Sequence, residues 1–306
     1  MIGRKVRKLV SGWLRLAVLS TVTLVVVVAC TGNPEGESEV RELKFGVGPY
    51  FPTPSETRNQ FEPLFQKMAA SVNADADVTV TQDWVGISEA LRSGTLDVAW
   101  LGPWGFVLAQ HAEPSLEAIA TVKYQGNPYY YSLLMTRADA PYNTLEEAIA
   151  YSQNQEQLKL SLADVGSTSG WLIPTAEFKQ RNIDPKQVFD YNEGASHAAQ
   201  AISVISNQTD IASDYNRNLD VLASTGKIDR SEIKIIWQSE RLPNDPIAIR
   251  GGLPEKVKTG LRQAATNLST EEAKDLLPEN YTGFAASDGS NYKPIRQAGK
   301  LVGKLQ

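Results

Sequence analysis

Short apolar runs alternate with amphipathic stretches along most of this chain. Residues 43–48 read as a strand, and Thr53-Pro54-Ser55-Glu56 opens a helix as a capping box with proline in its first turn. Phe61, Leu64, Phe65 and Met68 then recur at i, i+3, i+4 and i+7, one helical face, with Pro63 predicted to kink or restart the helix. Strands are predicted over 77–81 and 97–101, with a short helix through Ile87, Ala90 and Leu91 between them, closed by Gly94. A further helix follows Gly102-Pro103-Trp104. Two longer strands cover 116–122 and 129–136, and Thr144 caps a helix through Tyr151. Strands at 158–162, 187–191, 209–213 and 233–237 alternate with helical stripes such as Ala198, Ala201, Ile202 and Ile205. After Pro243-Asn244-Asp245-Pro246, residues 247–250 are expected to rejoin the first sheet, and the tail reads as helical over 253–267, 269–275 and 292–304.

Strand–helix alternation argues an α/β class with mixed, largely parallel sheets flanked by helices. The folded part is long enough for two lobes. Residues 43–136 with 240–306 are assigned to lobe 1 and residues 137–239 to lobe 2. In open α/β sheets a ligand sits beyond the carboxyl ends of the strands. The loops 49–55, 102–105, 166–171, 194–197 and 214–217 each follow a strand and should converge on one cleft.

The first 29 residues stand apart from this pattern. Arg4, Lys5, Arg7, Lys8 and Arg15 precede an apolar run that ends in Val27-Val28-Ala29-Cys30. This reads as a secretory signal peptide, and its end resembles a bacterial lipobox, which implies that Cys30 becomes the lipidated N-terminus. Residues 30–42 then form the lipidated cysteine and a flexible tether. Cys30 is the only cysteine, so an intrachain disulfide is excluded. Removing the signal takes away five bases and no acid, which leaves 25 bases against 35 acids and a net charge of −10. Nucleic acid is a poor partner for such a chain. An anion would have to be held by local donors against the overall field.

Asp164-Val-Gly-Ser-Thr-Ser-Gly-Trp171 supplies such donors between a strand and a helix. Ser167, Thr168 and Ser169 offer hydroxyls, Gly166 and Gly170 admit close approach, and a helix start adds free N–H groups and partial positive charge. An ordinary helix cap explains the same residues equally well, and no lysine follows to make a phosphate-binding P-loop. Pro174 leaves the start of that helix ill defined. His197, after Gly194-Ala-Ser196, could donate to an anion, while His111 reads as a surface residue. Asp214 is either a cap or an acceptor for a proton-bearing ligand. Trp100 and Trp104 lie on one strand-to-helix turn, as aromatic walls or as core. A zinc site has little support with so few histidines and cysteines, no cofactor is expected, and no Gly-x-Ser-x-Gly elbow frames a nucleophile.

Several of these segments form a set. Asp97-Val-Ala-Trp-Leu-Gly-Pro-Trp-Gly105, Gly166-Ser-Thr-Ser-Gly-Trp-Leu-Ile-Pro174, Gly194-Ala-Ser-His197 and Leu242-Pro-Asn-Asp245 resemble the binding proteins of phosphonate, phosphite and hypophosphite ABC importers. The resemblance spans 43–306 and is closest to the hypophosphite branch, although His197 looks like the histidine of phosphite and phosphonate binders. It implies a two-lobed type II periplasmic binding protein with ligand in the interlobe cleft. It implies that Ser167, Thr168, Ser169 and His197 hold oxyanion oxygens, that Trp100 contacts the ligand, and that Asp214 meets a ligand proton or amine. Thr53, in a Pro-Thr-Pro-Ser segment shared with that branch, joins the candidate ligand-binding residues. An indole against a P–H bond would disfavour phosphate, whose fourth oxygen would lose hydration without gaining a donor. The expected partners are a phosphite, hypophosphite or phosphonate anion and an inner-membrane ABC permease. The receptor itself is expected to be a monomer on the periplasmic side of the membrane, touching it only through its lipid. A ligand-sensing lipoprotein without transport, or an enzyme acting on phosphorus oxyanions, are the alternatives.

Overall fold

The computed structural model describes residues 42–51 and 53–306. The expected signal peptide of 1–29, the expected lipidation site at Cys30 and most of the expected tether lie outside the described residues. No helix among the described residues is long and apolar enough to cross a membrane.

Lobe 1 begins with β1 (Glu42–Val47), α1 (Pro54–Ala70), β2 (Asp75–Val80), α2 (Trp84–Arg92), β3 (Val98–Trp100), α3 (Pro103–Ala112) and β4 (Glu117–Tyr124). The chain crosses on β5 (Tyr129–Tyr130) into β6 (Ser132–Arg137), α4 (Leu145–Asn154) and β7 (Lys159–Ala163). A wide helical turn, Thr168–Leu172, leads into α5 (Ile173–Gln180), α6 (Pro185–Val188), β8 (Asp190–Ala195), α7 (His197–Ile205), β9 (Ile211–Tyr215), α8 (Asn216–Ser224) and β10 (Ile233–Gln238). It returns on β11 (Leu242–Pro243) to β12 (Pro246–Ile249), α9 (Glu255–Thr266), α10 (Thr270–Leu276), β13 (Tyr281–Ala286) and α11 (Lys293–Leu301).

The sheet of lobe 1 has the order β13-β4-β12-β3-β1-β2, and that of lobe 2 the order β10-β6-β9-β7-β8. Both are mixed. Parallel pairs are confined to β1 with β2 and β3, and to β7 with β8 and β9, while β12, β13, β6 and β10 all pair antiparallel. The expectation of largely parallel sheets is therefore corrected. Strands without an intervening crossover helix, such as the return strand β12 between β3 and β4, can enter a sheet in the opposite direction. Strand pairing also moves the first boundary: Ser132–Arg137 belongs to the sheet of lobe 2, not to lobe 1. Two strands missed the sequence pattern. Residues 187–191 are not one strand, because Asp184 and Pro185 cap a short helical turn and β8 starts only at Asp190. β13 interrupts the supposedly helical tail.

Helix α1 shows how the sequence builds its surroundings. Thr53 and Glu56 complete the capping box, and the helix continues through Pro63 without a break. Its face of Phe61, Leu64, Phe65 and Met68 is fully buried against Leu43, Phe45 and Trp100 of the sheet. Burial of each such side chain contributes about 1.5–3 kcal/mol. Between the lobes, β5 and β11 pair antiparallel, Leu242 opposite Tyr130 and Pro243 opposite Tyr129. Buried Asn244 beside them donates through Nδ2 to the carbonyls of Val122 (3.1 Å) and Asn127 (3.0 Å). Helix α11 packs on α3 of lobe 1 and α5 of lobe 2. Gly299 permits that approach, since a Cβ there would lie 2.6 Å from Trp104 Cζ3.

Candidate ligand-binding site

The wide turn after β7 follows from its sequence. Asp164 shapes its approach, its Oδ1 accepting from Gly166 N–H (2.8 Å) and its carbonyl from Ser167 N–H (2.8 Å). Ser167 caps the turn, with Oγ accepting from Gly170 N–H at 3.0 Å. Leu172 and Ile173 N–H then bond to the carbonyls of Ser167 and Thr168, five residues back. Pro174 has no N–H to continue either this spacing or the ordinary one. The carbonyls it leaves over, Ser169 and Gly170, accept instead from Ser132 Oγ and Ser213 Oγ, each at 2.6 Å. Two strand hydroxyls thus pin the turn to the sheet of lobe 2. Such wide turns concentrate at functional sites. Gly170 is required by space: a Cβ would fall 2.4 Å from Ala163 Cβ and 2.8 Å from His197 Cε1.

His197 begins α7 behind the cap residue Ser196. Its Nδ1 lies 2.9 Å from Asp214 Oδ1 and its Nε2 3.0 Å from Ser167 Oγ. The Asp214 carboxylate also accepts from Tyr215 N–H and from Asn218 Nδ2. A carboxylate surrounded by donors fixes the proton of His197 on Nδ1. Nε2 then accepts from Ser167 in the neutral ring and becomes a donor when the ring is protonated. Ser167, His197 and Asp214 therefore form a row with the order of a hydrolase triad, which the sequence did not reveal because its members come from three separate loops. Ser167 Oγ is committed to capping the turn, and no nucleophile elbow presents it.

Across the cleft, lobe 1 contributes Tyr50, Trp84, Gly102 and Pro103. The Trp104 N–H at the start of α3 donates to Thr168 Oγ1 at 2.8 Å, a direct bond from one lobe to the other. The lobes enclose a cavity of about 40 Å³ whose wall includes Tyr50, Trp84, Tyr130, Ser167, Thr168, Ser169, His197, Tyr215, Arg217 and Asp245. A water needs roughly 10–15 Å³ of such space, so the cavity suits an ion of a few heavy atoms. It adjoins an outer cavity of about 470 Å³ that shares Tyr50, Trp84, Ser167, His197 and Tyr215 and adds Asp83, Asp164 and Asn218.

The structure brings Ser167, Thr168, Ser169 and His197 together on this wall. The other three candidates stand elsewhere. Thr53 is exposed and engaged with Glu56 as the cap of α1. Asp214 is fully buried behind His197 and does not line either cavity. Trp100 is also fully buried, stacked edge-on against Phe61, Tyr281 and Phe284, with Nε1 donating to Tyr50 Oη at 2.8 Å. The expectation that its indole faces the ligand is corrected: β3 is covered on both faces, and Trp100 belongs to the core.

Arg217, Asp245 and the tyrosines were not among the sequence candidates. Tyr50 Oη donates to Asp245 Oδ2, and burial followed by the adjacent carboxylate pushes Tyr50 up, so the phenol keeps its proton. Burial likewise pushes Tyr130 up, with Thr168 and Ser169 beside its hydroxyl partly opposing. Burial alone would lower Arg217, but Tyr281, Asp245, Tyr215 and Tyr50 raise it further, and the guanidinium is charged. The run Tyr129-Tyr130-Tyr131 and the segment Asn216-Arg217-Asn218 were visible signals, but only tertiary contact gives them a shared wall. Among the described residues no cluster of three or more His, Cys, Asp or Glu could hold a metal ion.

Two mixed sheets, paired crossing strands and a small donor-lined cavity between them define a two-lobed solute-binding protein. Comparisons with known proteins narrow the class. The family described as the periplasmic substrate-binding protein of phosphonate ABC transporters matches residues 45–292, and this chain belongs to it. The phosphonates-binding periplasmic protein of Escherichia coli is 29% identical over 265 residues, covering 85% of this chain and 77% of that protein. The phosphate-import protein PhnD of Mycolicibacterium smegmatis is 23% identical, covering 94% and 96%. A crystal structure of a phosphonate-transporter binding protein from Pseudomonas aeruginosa superposes with a TM-score of 0.76 at 26% identity, covering 86% of this chain and 87% of that one. PhnD1 of Prochlorococcus marinus, solved with methylphosphonate, shares the fold with a TM-score of 0.74 at 19% identity, covering 87% and 99%. The chain is thus a binding component of a phosphonate transporter and not an enzyme.

Proposed function

We propose that this receptor captures a small phosphorus oxyanion, phosphite or methylphosphonate before hypophosphite, and delivers it to an ABC permease while anchored through a lipidated Cys30. The observation that carries the reading is the wall itself. Three buried hydroxyls at the start of a helical turn, with His197 beside them, face a cavity sized for a handful of heavy atoms. Oxygens bound there gain charge-assisted hydrogen bonds and the partial positive charge of the helix start. The names of the relatives in Escherichia coli and Mycolicibacterium smegmatis, and the methylphosphonate bound by PhnD1, place related chains in the same ligand chemistry. Anions with longer substituents would have to extend into the outer cavity. Calorimetry and thermal-shift measurements with phosphite, hypophosphite, methylphosphonate, 2-aminoethylphosphonate, phosphate and sulfate test this. Binding of at least one phosphorus anion, with sulfate inactive, is expected. No heat and no thermal shift with any of the phosphorus anions would overturn the reading.

A further inference from the structure

Arg217 differs from every other group on the cavity wall. It is 5% exposed, on the first turn of α8, and its guanidinium lies 4.7–5.6 Å from the ring centroids of Tyr130, Tyr215, Tyr124 and Tyr281. Aromatic faces stabilise the cation but leave its N–H groups without acceptors. Among the described residues Nε and Nη1 have no hydrogen-bond partner. Nη2 is 3.8 Å from Asp245 Oδ2, too long for a hydrogen bond. A buried guanidinium with idle donors is costly, and because Arg217 lines the cavity, an acceptor that enters there can relieve that cost. Tyr130 links Arg217 to the hydroxyl wall. Its ring meets the guanidinium, and its hydroxyl lies beside Thr168 and Ser169. An anion seated on those hydroxyls would share one small cavity with Arg217.

We propose that Arg217 is a specificity-determining residue that takes a ligand oxygen beyond those held by Ser167, Thr168 and Ser169. The site then prefers phosphorus anions with three or four oxygens, inorganic phosphate included, over hypophosphite, which has two. This rests on the reading of the cavity as a phosphorus-oxyanion site. A P–H bond accepts no hydrogen bond, so hypophosphite leaves the Arg217 donors unmet. A P–OH group fits the pair better than either, accepting from Arg217 and donating to the carboxylate of Asp245. With Trp100 withdrawn into the core, the indole argument against phosphate no longer applies.

The test is titration calorimetry of phosphate, phosphite and hypophosphite with the wild-type protein, Arg217→Gln and Arg217→Lys, with thermal unfolding of each variant. In the wild type, phosphate and phosphite should both bind at least tenfold more tightly than hypophosphite. Arg217→Gln should narrow that gap to within about threefold, mainly by weakening the richer anions. Arg217→Lys keeps the charge but loses the planar fork; if the glutamine variant does not fold, a gap cut at least threefold by lysine supports the proposal. Wild-type binding of hypophosphite as tight as that of phosphite, or a gap unchanged in the folded variants, would overturn it. Failure of the wild type to bind any of the three overturns the functional reading instead.

Discussion

Replacing Gly166 by alanine should weaken ligand binding without weakening the unliganded fold. Gly166 lines the cavity from lobe 2 and faces Trp84 of lobe 1. A Cβ there would lie 2.9 Å from Trp84 Cβ and 3.4 Å from its carbonyl carbon, besides 3.0 Å from Asp164 Oδ1 in its own loop. The Gly166 backbone is not in the left-handed region, so alanine meets no conformational penalty. The obstruction is chiefly between lobes and acts on the closed arrangement, because parting the lobes removes Trp84. Overpacking of this kind costs about 1–3 kcal/mol. Placed on one side of a closure equilibrium, that is about a 5- to 150-fold loss of affinity. Calorimetry should show the weaker Kd, and thermal unfolding should show a smaller ligand-induced rise in Tm with the unliganded Tm unchanged. Trp84→Ala should restore part of the loss when combined with Gly166→Ala, a coupling that a double-mutant cycle measures. An affinity within twofold of wild type would refute the reasoning. So would a loss matched by equal destabilisation of the unliganded protein, which would make the clash local to the loop.

Trp100→Phe should lower unfolding stability by about 1–3 kcal/mol, since Tyr50 and Asp245 lose a buried donor, with little change in the ranking of ligands; a changed ranking in calorimetry at intact stability would return Trp100 to the site. Asp214→Asn should weaken binding about tenfold or more, because an amide no longer orients His197 and no longer stabilises the protonated ring, the form in which Nε2 donates. Wild-type affinity for that variant would show that His197 needs no such orientation. Cys30→Ser should release the mature protein from the membrane fraction, and retention with a lipid mass on the N-terminus would contradict the anchor.

The parts of this fold that sequence pattern revealed are those whose signal is local. The stripe of α1, its capping box and the hydroxyl run of 167–169 are each contained in one stretch of chain. β8 escaped because Asp-Tyr-Asn-Glu-Gly-Ala is a mostly exposed edge strand with no apolar alternation to read. β13 escaped because a bulge between Tyr281 and Phe284, with Gly283 at φ 111°, breaks the period of two. Trp100 was misplaced for a related reason: all three residues of β3 are buried, so alternation says nothing about which face meets a ligand. Arg217 and Asp245 were illegible as a pair because they arrive from α8 and from the return crossing, and only the folded chain sets them side by side.

The hydroxyls of Ser167, Thr168 and Ser169, together with His197 and Arg217, all ride on lobe 2, and the turn that carries three of them is tied down by Ser132 and Ser213 of the same sheet. An arriving anion can therefore be caught by one lobe alone, on a surface already in place. Lobe 1 then covers it, through Tyr50, Trp84, Asp245 and the Trp104 N–H. The encounter rate should then depend on lobe 2 and on ionic strength, and the residence time on lobe 1. On the proposed function, release to a permease would accordingly need no disassembly of the anion cradle: prising Trp104 away from Thr168 should shorten the bound lifetime by itself.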